Sequence, residues 1–271
     1  MSRTNIPIFK AVAAMTFGEF TAFAESLREE IAGIVDRYAG SVEVEYKPDD
    51  SPVTLADREI ESYISSRIKA AFPTHAILGE ECGAYIPENA DSPDYEWVLD
   101  PIDGTKSFIH GVPLFTTLIG VMQEDRALYG AIYNPVLDQM LTGDGDGAYM
   151  EGRKVSMRRC DRLEDATLLI TDVMATAKYR NQERFMSLAS RCRMMRTWGD
   201  AYGYVMLATG RGDIMIDAKM SRWDIVALTP IIRGAGGVIT GYGGEAPETA
   251  DSIVAANPRL HTEVIRILNC R

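Results

Sequence analysis

The fold is decided by one stretch of sequence, Trp97-Val98-Leu99-Asp100-Pro101-Ile102-Asp103-Gly104-Thr105-Lys106. Its apolar residues predict a short buried strand, and Pro101, which has no N–H, predicts that the strand ends at Asp100. Two ionised carboxylates this close together repel each other unless a cation or a proton lies between them. The amides after Gly104 are expected to open a helix, and a helix N-terminus attracts phosphate. The stretch therefore favours a metal-dependent phosphate site over a solvated acidic turn.

Composition limits the class of protein. The chain has 271 residues, of which 46% are hydrophobic and 25% charged, so we expect one large globular domain or two of ordinary size. No apolar run reaches the ~18 residues of a membrane span, and no membrane partner is expected. Four scattered cysteines without a C-x-x-C pair, and no apolar signal segment in Met1–Lys10, favour a cytoplasmic protein.

The net charge of −11 bears on the choice of ligand. The sequence has no basic stripe, which argues against a nucleic-acid partner. An acidic protein also repels a phosphate ester. Bound metal ions would have to invert the local field, and carboxylates would then serve as the ligands of those ions.

Residues 1–153 are expected to form an α+β half. A capping box at Thr16 predicts an amphipathic helix that ends near Gly40. A second helix is expected to start near Val53, with Asp57 at the head of its inward apolar stripe. A carboxylate on a buried face needs a partner, whereas a carboxylate in a first turn also favours the helix dipole, and both interpretations stay open.

The rest of the chain alternates short apolar runs with turns. A strand over 76–78 leads to Glu80, and residues 83–95 are predicted to be a loop. Strand-like runs between 114 and 150, joined by short turns, predict an antiparallel sheet. Strand–helix alternation over 154–271 predicts a layered α/β half.

Six carboxylates need an explanation, namely Asp57, Glu80, Asp100, Asp103, Asp217 and Asp224. Three of them follow short apolar strands. Hard oxygen ligands without histidine or cysteine suit Mg²⁺ better than zinc. The three histidines are isolated and are interpreted as surface or capping residues. No G-x-S-x-G or C-x₅-R loop supports a covalent serine or cysteine route.

Taken together, these motifs resemble those of the inositol monophosphatase family of lithium-sensitive, Mg²⁺-dependent phosphatases. The motifs are Gly79-Glu80-Glu81, Asp100-Pro101-Ile102-Asp103-Gly104-Thr105, and Trp223-Asp224 followed by Ala235-Gly236-Gly237. The resemblance covers nearly the whole chain. It implies an α+β fold, a layered α-β-α-β-α sandwich, with the site at the junction of residues 1–153 and 154–271. It also implies a homodimer.

The resemblance further implies two or three Mg²⁺ ions per site. It assigns Glu80, Asp100 and the Ile102 carbonyl to the first ion. It assigns Asp100, Asp103 and Asp224 to the second.

Catalytic roles are also implied by the resemblance. Thr105, oriented by Asp57, is the expected partner of Glu80 in activating water. Backbone amides at Gly104 and Thr105 are expected to hold the phosphoryl oxygens. Lys47 matches a lysine that lies near the site in the family.

Two segments narrow the resemblance to the histidinol-phosphate phosphatase branch, which makes histidinol in histidine biosynthesis: Ser51–Arg58 and Gly199–Tyr204. The inositol phosphatases usually continue as D-G-T-x-N-F, whereas this chain has Ser107 in place of the asparagine. The expected reaction is hydrolysis of L-histidinol phosphate, a small-molecule phosphate ester, by direct attack of a metal-activated water. Asp217 and Asp200 are expected to face the ammonium group of that substrate.

Two alternatives remain open at this point. The first is an inositol-1-monophosphatase or a broad sugar phosphatase. The second belongs to another class, a binding partner of the transcription machinery.

Overall fold

The computed structural model describes residues 14–39, 43–48, 52–88 and 93–270. Predictions that fall on Met1–Lys10, Gly40 and Ser51 lie outside these ranges. No described helix is long and apolar enough to cross a membrane.

The described helices are α1 Phe17–Glu25, α2 Arg28–Tyr38, α3 Leu55–Ala71, α4 Thr105–Ile109, α5 Val173–Tyr179, α6 Gln182–Arg191, α7 Asp200–Ala208, α8 Arg222–Gly234 and α9 Pro258–Asn269. The strands are β1 Val44–Tyr46, β2 Pro52–Thr54, β3 Ala76–Gly79, β4 Gly83–Tyr85, β5 Glu96–Asp103, β6 Thr116–Gln123, β7 Arg126–Asn134, β8 Gln139–Gly143, β9 Ala148–Met150, β10 Arg153–Val155, β11 Thr167–Ile170, β12 Met194–Arg196, β13 Ile214–Asp217, β14 Val238–Thr240 and β15 Ile253–Ala256.

Two large sheets form the frame. The first has eight strands in the order β10-β9-β8-β7-β6-β5-β3-β4. Its neighbours pair antiparallel, except that β3 runs parallel to β5, so the predicted antiparallel sheet is confirmed. The second sheet has five strands in the order β12-β11-β13-β15-β14 and mixes parallel with antiparallel pairs.

Helices fill the spaces on both sides of each sheet. Helices α1, α2 and α3 bury Phe20, Ile31 and Ile60 against the outer face of the first sheet. Helices α7 and α8 lie between the sheets and share one core with both. Helices α6 and α9 bury Phe185 and Leu260 on the outer face of the second sheet. Burying each such side chain contributes about 1.5–3 kcal/mol, and the result is the expected α-β-α-β-α sandwich.

A row of glycines sets how closely α8 approaches the first sheet. Gly120, Gly130 and Gly143 are paired across β6, β7 and β8. A Cβ at Gly130 would lie 1.9 Å from the carbonyl oxygen of Ala227, and a Cβ at either of the other two would lie 2.6 Å from an α8 atom. The helix therefore contacts the backbone of the sheet directly, and this contact brings Asp224 near the end of β5.

The prediction that the strand ends at Asp100 is wrong. Strand β5 continues to Asp103, pairing Asp100 with Leu118 and Asp103 with Thr116. The intervening segment contains one residue more than its partner, so Pro101 falls in a β-bulge where its missing N–H breaks no ladder bond. The bulge also turns the two carboxylates toward the same end of the sheet.

Two other predictions of local structure are wrong. The helix predicted from Thr16 onward is divided into α1 and α2 at Ser26 and Leu27, where the N–H of Leu27 donates to the carbonyl of Ala24 (3.1 Å) and the Leu27 side chain is fully buried. The predicted loop over 83–95 contains β4, because the free edge of β3 supplies it with ladder partners.

The division at residue 153 stays a hypothesis about folding units. The first sheet extends to Val155, and the core around α8 contains side chains from both sheets.

Candidate active site

Three carboxylates converge where β5 meets the N-terminus of α8. One oxygen of each of Asp100, Asp103 and Asp224 lies within 4.8 Å of the others. Asp100 is buried, and its Oδ1 has no hydrogen-bond partner. Because a buried polar atom is normally paired, an unpartnered carboxylate oxygen that faces two others indicates a place for a cation.

Asp224 is brought to this cluster by the cap of α8. Its Oδ2 accepts the backbone N–H of Ser221 (2.7 Å), as expected for the third residue of a capping box. The other oxygen is left for the cluster. Asp103 accepts the N–H of Ala201, at the start of α7, so both helices between the sheets contact the carboxylates.

Burial and, to a smaller extent, mutual repulsion raise the pKa values of the three carboxylates. Burial, followed by the charge of Glu80, raises the pKa of Asp100 well above its ordinary value. Burial and the charge of Asp200 do the same for Asp103, and burial raises the pKa of Asp224 to about 7. In the described ranges no lysine or arginine forms an ion pair with these three. A hard divalent cation such as Mg²⁺ fits this donor set.

Glu80 lies beside the cluster because β3 runs parallel to β5. Its N–H donates to the carbonyl of Leu99 (3.2 Å). The Lys47 ammonium lies between Glu80 Oε1 (2.8 Å) and Glu81 Oε1 (2.6 Å). Lys47 thus balances one of the two negative charges of the glutamates and leaves the aspartates unpaired.

Thr105 opens α4 directly after Gly104, which has a positive φ of 87° that glycine adopts without strain. The Thr105 Oγ1 lies 3.1 Å from the Ile102 carbonyl oxygen and 3.4 Å from Asp57 Oδ1. Asp57 also accepts the N–H of Thr54 through Oδ2 (2.8 Å). Both interpretations of Asp57 therefore apply, since it caps α3 and reaches Thr105. Burial raises its pKa to about 6.

The predicted metal ligands line one open cavity of about 510 Å³, and Lys47, Gly104 and Thr105 line it with them. An adjoining cavity of about 420 Å³ shares Glu80, Gly104 and Thr105 with it and is also lined by Asp200 and Ser107. The site therefore has two compartments, one next to the carboxylate cluster and one beside Asp200.

Asp200 sits in an unusual backbone conformation. Its φ is +48°, a region that few residues other than glycine adopt, although aspartate is among those that tolerate it. Its N–H donates to the Thr171 hydroxyl (2.9 Å), and its Oδ2 accepts the Ser107 hydroxyl (3.3 Å). Burial, and then the charge of Asp217, raises the pKa of Asp200 to about 6. The strain is consistent with a functional role at the site.

Asp217 lies behind the two compartments. It is buried, and its oxygens accept the Thr171 N–H (3.2 Å) and the Tyr204 hydroxyl (2.9 Å). It lines a small cavity of about 90 Å³ together with Asp103 and Asp200. Its contact with substrate stays a prediction.

Sequence reasoning missed Glu61, Tyr204 and the N–H of Ala201. Glu61 is fully buried next to the site. Its signal was the four-residue spacing from Asp57, which places both carboxylates on one face of α3. The contact of Ala201 with the site is a backbone contact, and nothing in the identity of that side chain indicates it.

Another cavity of the described chain, about 1110 Å³, is lined by none of the predicted site residues. Its lining includes five arginines: Arg158, Arg159, Arg162, Arg193 and Arg196. They come from two separate segments, so the linear sequence shows no basic stripe.

A five-layer sandwich with a carboxylate cluster at the junction of its sheets defines a class of phosphatases. The model of the inositol monophosphatase family matches residues 17–271, and the chain belongs to that family. It is 33% identical over 246 residues to a histidinol-phosphatase of Chlorobaculum parvum, covering 89% of this chain and 93% of that protein. It is also 33% identical over 198 residues to the Nus factor SuhB of Pseudomonas aeruginosa, covering 71% of this chain and 73% of that protein.

Solved structures agree. The IMPase of Thermotoga maritima superposes with a TM-score of 0.82 at 27% identity, covering 93% of this chain and 97% of that one. The fold expected from the motifs is confirmed, and the chain is a phosphatase of this family.

Proposed function

We propose that this chain is a Mg²⁺-dependent histidinol-phosphatase that converts L-histidinol phosphate and water to L-histidinol and phosphate. The observation that carries the proposal is the second compartment, where the carboxylate of Asp200 lies beside the metal-ligand cluster. A substrate that carries an ammonium group two carbons from its phosphate oxygen has complementary charges for these two adjoining compartments. The similarity to a histidinol-phosphatase supports the same choice.

The chain's own residues bind and orient the reactants. Glu80, Asp100, the Ile102 carbonyl, Asp103 and Asp224 would hold two or three Mg²⁺ ions. When bound, these ions lower the pKa of the attacking water and neutralise charge on the phosphoryl group.

Thr105 and Glu80 handle the attacking water. The Thr105 hydroxyl orients it, and Glu80 accepts its proton. Asp57 keeps the Thr105 side chain directed toward the site. The amides of Gly104 and Thr105 bind the phosphoryl oxygens.

The ammonium group of the substrate is recognised in the second compartment. A charge-assisted hydrogen bond between an ammonium and a partly desolvated carboxylate contributes about 1.5–3 kcal/mol. Asp200 lines this compartment, whereas both oxygens of Asp217 already accept protein hydrogen bonds. Asp217 then acts on the ammonium group indirectly, from the small cavity that it lines together with Asp200.

The test compares two substrates. Asp200→Asn is expected to lower kcat/KM for histidinol phosphate by roughly tenfold to a hundredfold, at about 1.4 kcal/mol per tenfold. It is expected to cost much less with p-nitrophenyl phosphate, which has no cation. Asp217→Asn is expected to act in the same direction, and comparing the two variants identifies the carboxylate nearer the ammonium.

Equal losses on both substrates would reject the ammonium contact. A wild-type enzyme that prefers myo-inositol phosphate in a substrate panel would favour the second candidate, an inositol or broad sugar phosphatase, which the likeness to a solved IMPase supports. Inhibition by millimolar Li⁺ would not distinguish these two.

Similarity to a Nus factor supports a non-enzymatic candidate, a partner of the transcription machinery. The complete set of predicted ligands around one cavity favours catalysis instead, because an adaptor has no need of it. Phosphate release measured with Mg²⁺ and with EDTA separates the two. The homodimer implied by the family is tested by light scattering.

A further inference from the structure

The turn that carries Glu80 is hydrogen-bonded to a buried carboxylate. Glu61 of α3 is fully buried. Its Oε2 accepts the N–H of Glu81 (2.8 Å), and its Oε1 accepts the N–H of Cys82 (2.7 Å). The two amides that follow Glu80 are therefore both fixed by one side chain.

Contact between Glu61 and the backbone is close. A Cβ at Gly79 would lie 2.0 Å from Glu61 Oε1 and 2.8 Å from Oε2. The carboxylate thus occupies the space that a side chain would need at the residue before Glu80. Glu61 leaves this part of the backbone little room to shift.

One helix face supports both residues of the water-orienting pair. Asp57 and Glu61 are four residues apart on α3 and so lie one above the other. Asp57 contacts the Thr105 hydroxyl, while Glu61 holds the turn that carries Glu80. The relative position of Thr105 and Glu80 is therefore fixed by a single rigid element.

Burying a carboxylate costs free energy of folding that an apolar residue at the same position would not cost. In the described ranges no lysine or arginine forms an ion pair with Glu61, and the nearby ammonium of Lys47 contacts Glu80 and Glu81 instead. The geometry nevertheless requires two acceptors on one side chain. A carboxylate offers two, whereas a glutamine amide offers only one.

We propose that Glu61 is a positioning residue, which directs the Glu80 carboxylate into the metal site by holding the amides of Glu81 and Cys82. This inference rests on the Mg²⁺-dependent phosphatase function proposed above. Glu61 touches neither the metal nor the substrate and acts through Glu80.

The test substitutes Glu61→Gln, which keeps the side-chain volume and removes one acceptor. Mg²⁺ binding is measured by isothermal titration calorimetry without substrate, alongside thermal unfolding and kcat on p-nitrophenyl phosphate. The Mg²⁺ dissociation constant is expected to rise roughly tenfold to a hundredfold, the usual cost of losing a residue that orients a metal ligand. At saturating Mg²⁺, kcat is expected to stay below the wild-type value, because Glu80 also accepts the proton of the attacking water.

Asp213→Asn is the matched control. Asp213 is likewise buried and likewise accepts a backbone N–H, that of Thr167 (2.7 Å), but it lies just before β13 of the second sheet and lines none of the site cavities. It is expected to lose stability while its Mg²⁺ dissociation constant stays at the wild-type value. If both variants lose Mg²⁺ affinity equally, general destabilisation explains the effect and the positioning role is overturned.

Two further outcomes are decisive. Unchanged Mg²⁺ affinity in a folded Glu61→Gln overturns the positioning role while the phosphatase function stands. If the wild-type protein binds no Mg²⁺, the proposed function and the positioning role of Glu61 are both overturned. If Glu61→Gln does not fold, Glu61→Asp replaces it, because it keeps both acceptors but is one methylene too short. Weaker Mg²⁺ binding by that variant supports the role, and unchanged binding overturns it.

Discussion

Asp213 and Asp100 are both buried, but the negative charges of their side chains are balanced in different ways. Asp213, at the start of the second sheet, is 1% exposed, and Arg158 donates to both of its oxygens while Thr167 N–H donates to Oδ2. Asp100, at the end of β5, is 2% exposed and has an oxygen without any partner. Burial is therefore the same in both places. What distinguishes the paired carboxylate of Asp213 from the proposed ligand Asp100 is whether the chain supplies its counter-charge.

Of the substitutions that test this difference, Asp103→Asn is expected to have the largest effect, a loss of activity. The substitution keeps the side-chain volume and weakens a metal ligand, so activity should fall roughly a hundredfold or more, since even residues that only orient metal ligands are worth ten- to a hundredfold. In EDTA the variant should be at least as stable as the wild type, because one repelling charge is gone. Turnover and thermal unfolding are measured on the same preparations.

Mg²⁺ itself supplies the control for that variant. A ligand at a hundred times its dissociation constant stabilises the folded protein by about 2.7 kcal/mol, and this gain should appear in the wild type and be reduced in Asp103→Asn. A fully active variant, or one stabilised as strongly as the wild type, would contradict the assignment of Asp103 as a ligand.

Asp213→Asn should show the opposite pattern, because it should lower stability and leave activity unchanged. The size of its effect should be intermediate. Losing a charged hydrogen-bond partner costs about 1–3 kcal/mol of unfolding free energy, toward the lower end here because the Arg158 side chain is 45% exposed and screened by solvent. Turnover per folded molecule should not change. Urea unfolding and activity are compared, and a selective loss of activity would mean that Asp213 belongs functionally with the site.

The smallest effect concerns His75, a buried titratable group whose pKa is lowered by burial. Its Nδ1 accepts the Trp97 indole N–H (3.0 Å), and burial lowers its pKa below the usual value of about 6.5. In the unfolded chain His75 keeps its usual pKa and therefore binds protons at a higher pH than in the folded state. The folded state consequently loses stability as pH falls below about 6.5.

His75→Gln keeps an acceptor for the indole and does not titrate. Unfolding free energies are measured at about pH 7.5 and about pH 5.5, where the wild type should lose up to about 1.4 kcal/mol more than the variant. Contributions from the site carboxylates cancel in this difference. Identical pH dependence in the two proteins would show that folding does not lower the pKa of His75.

Local sequence was enough for much of the fold and the site. The run from Trp97 to Lys106 predicted a buried strand that leads into two carboxylates and a helix, and the capping pattern that ends at Asp224 lies in the sequence itself. Such features depend on residues within a few positions of each other. The sandwich followed from the motifs by resemblance rather than from periodicity.

What failed depends on distant partners. The strand passes Pro101 because β6 resumes pairing after the bulge, and no local rule contains β6. His75 and His261, interpreted as surface or capping residues, are both buried. The arginine that neutralises Asp213 is 55 residues away in sequence, so the distinction between paired and unpaired aspartates was invisible before the fold was known.

The glycine row under α8 sets how far Asp224 lies from the other carboxylates of the candidate metal site through main-chain contact. Gly130 lies beneath Ala227, one turn of helix from Asp224, and the surfaces that touch there are backbone atoms. Side-chain contacts adjust by changing rotamer, but a backbone contact has no such freedom. The separation between carboxylates contributed by different halves of the chain is thus independent of how the surrounding core is filled. A single methyl group added at Gly130 would therefore move Asp224, a proposed metal ligand that is 94 positions further along the sequence.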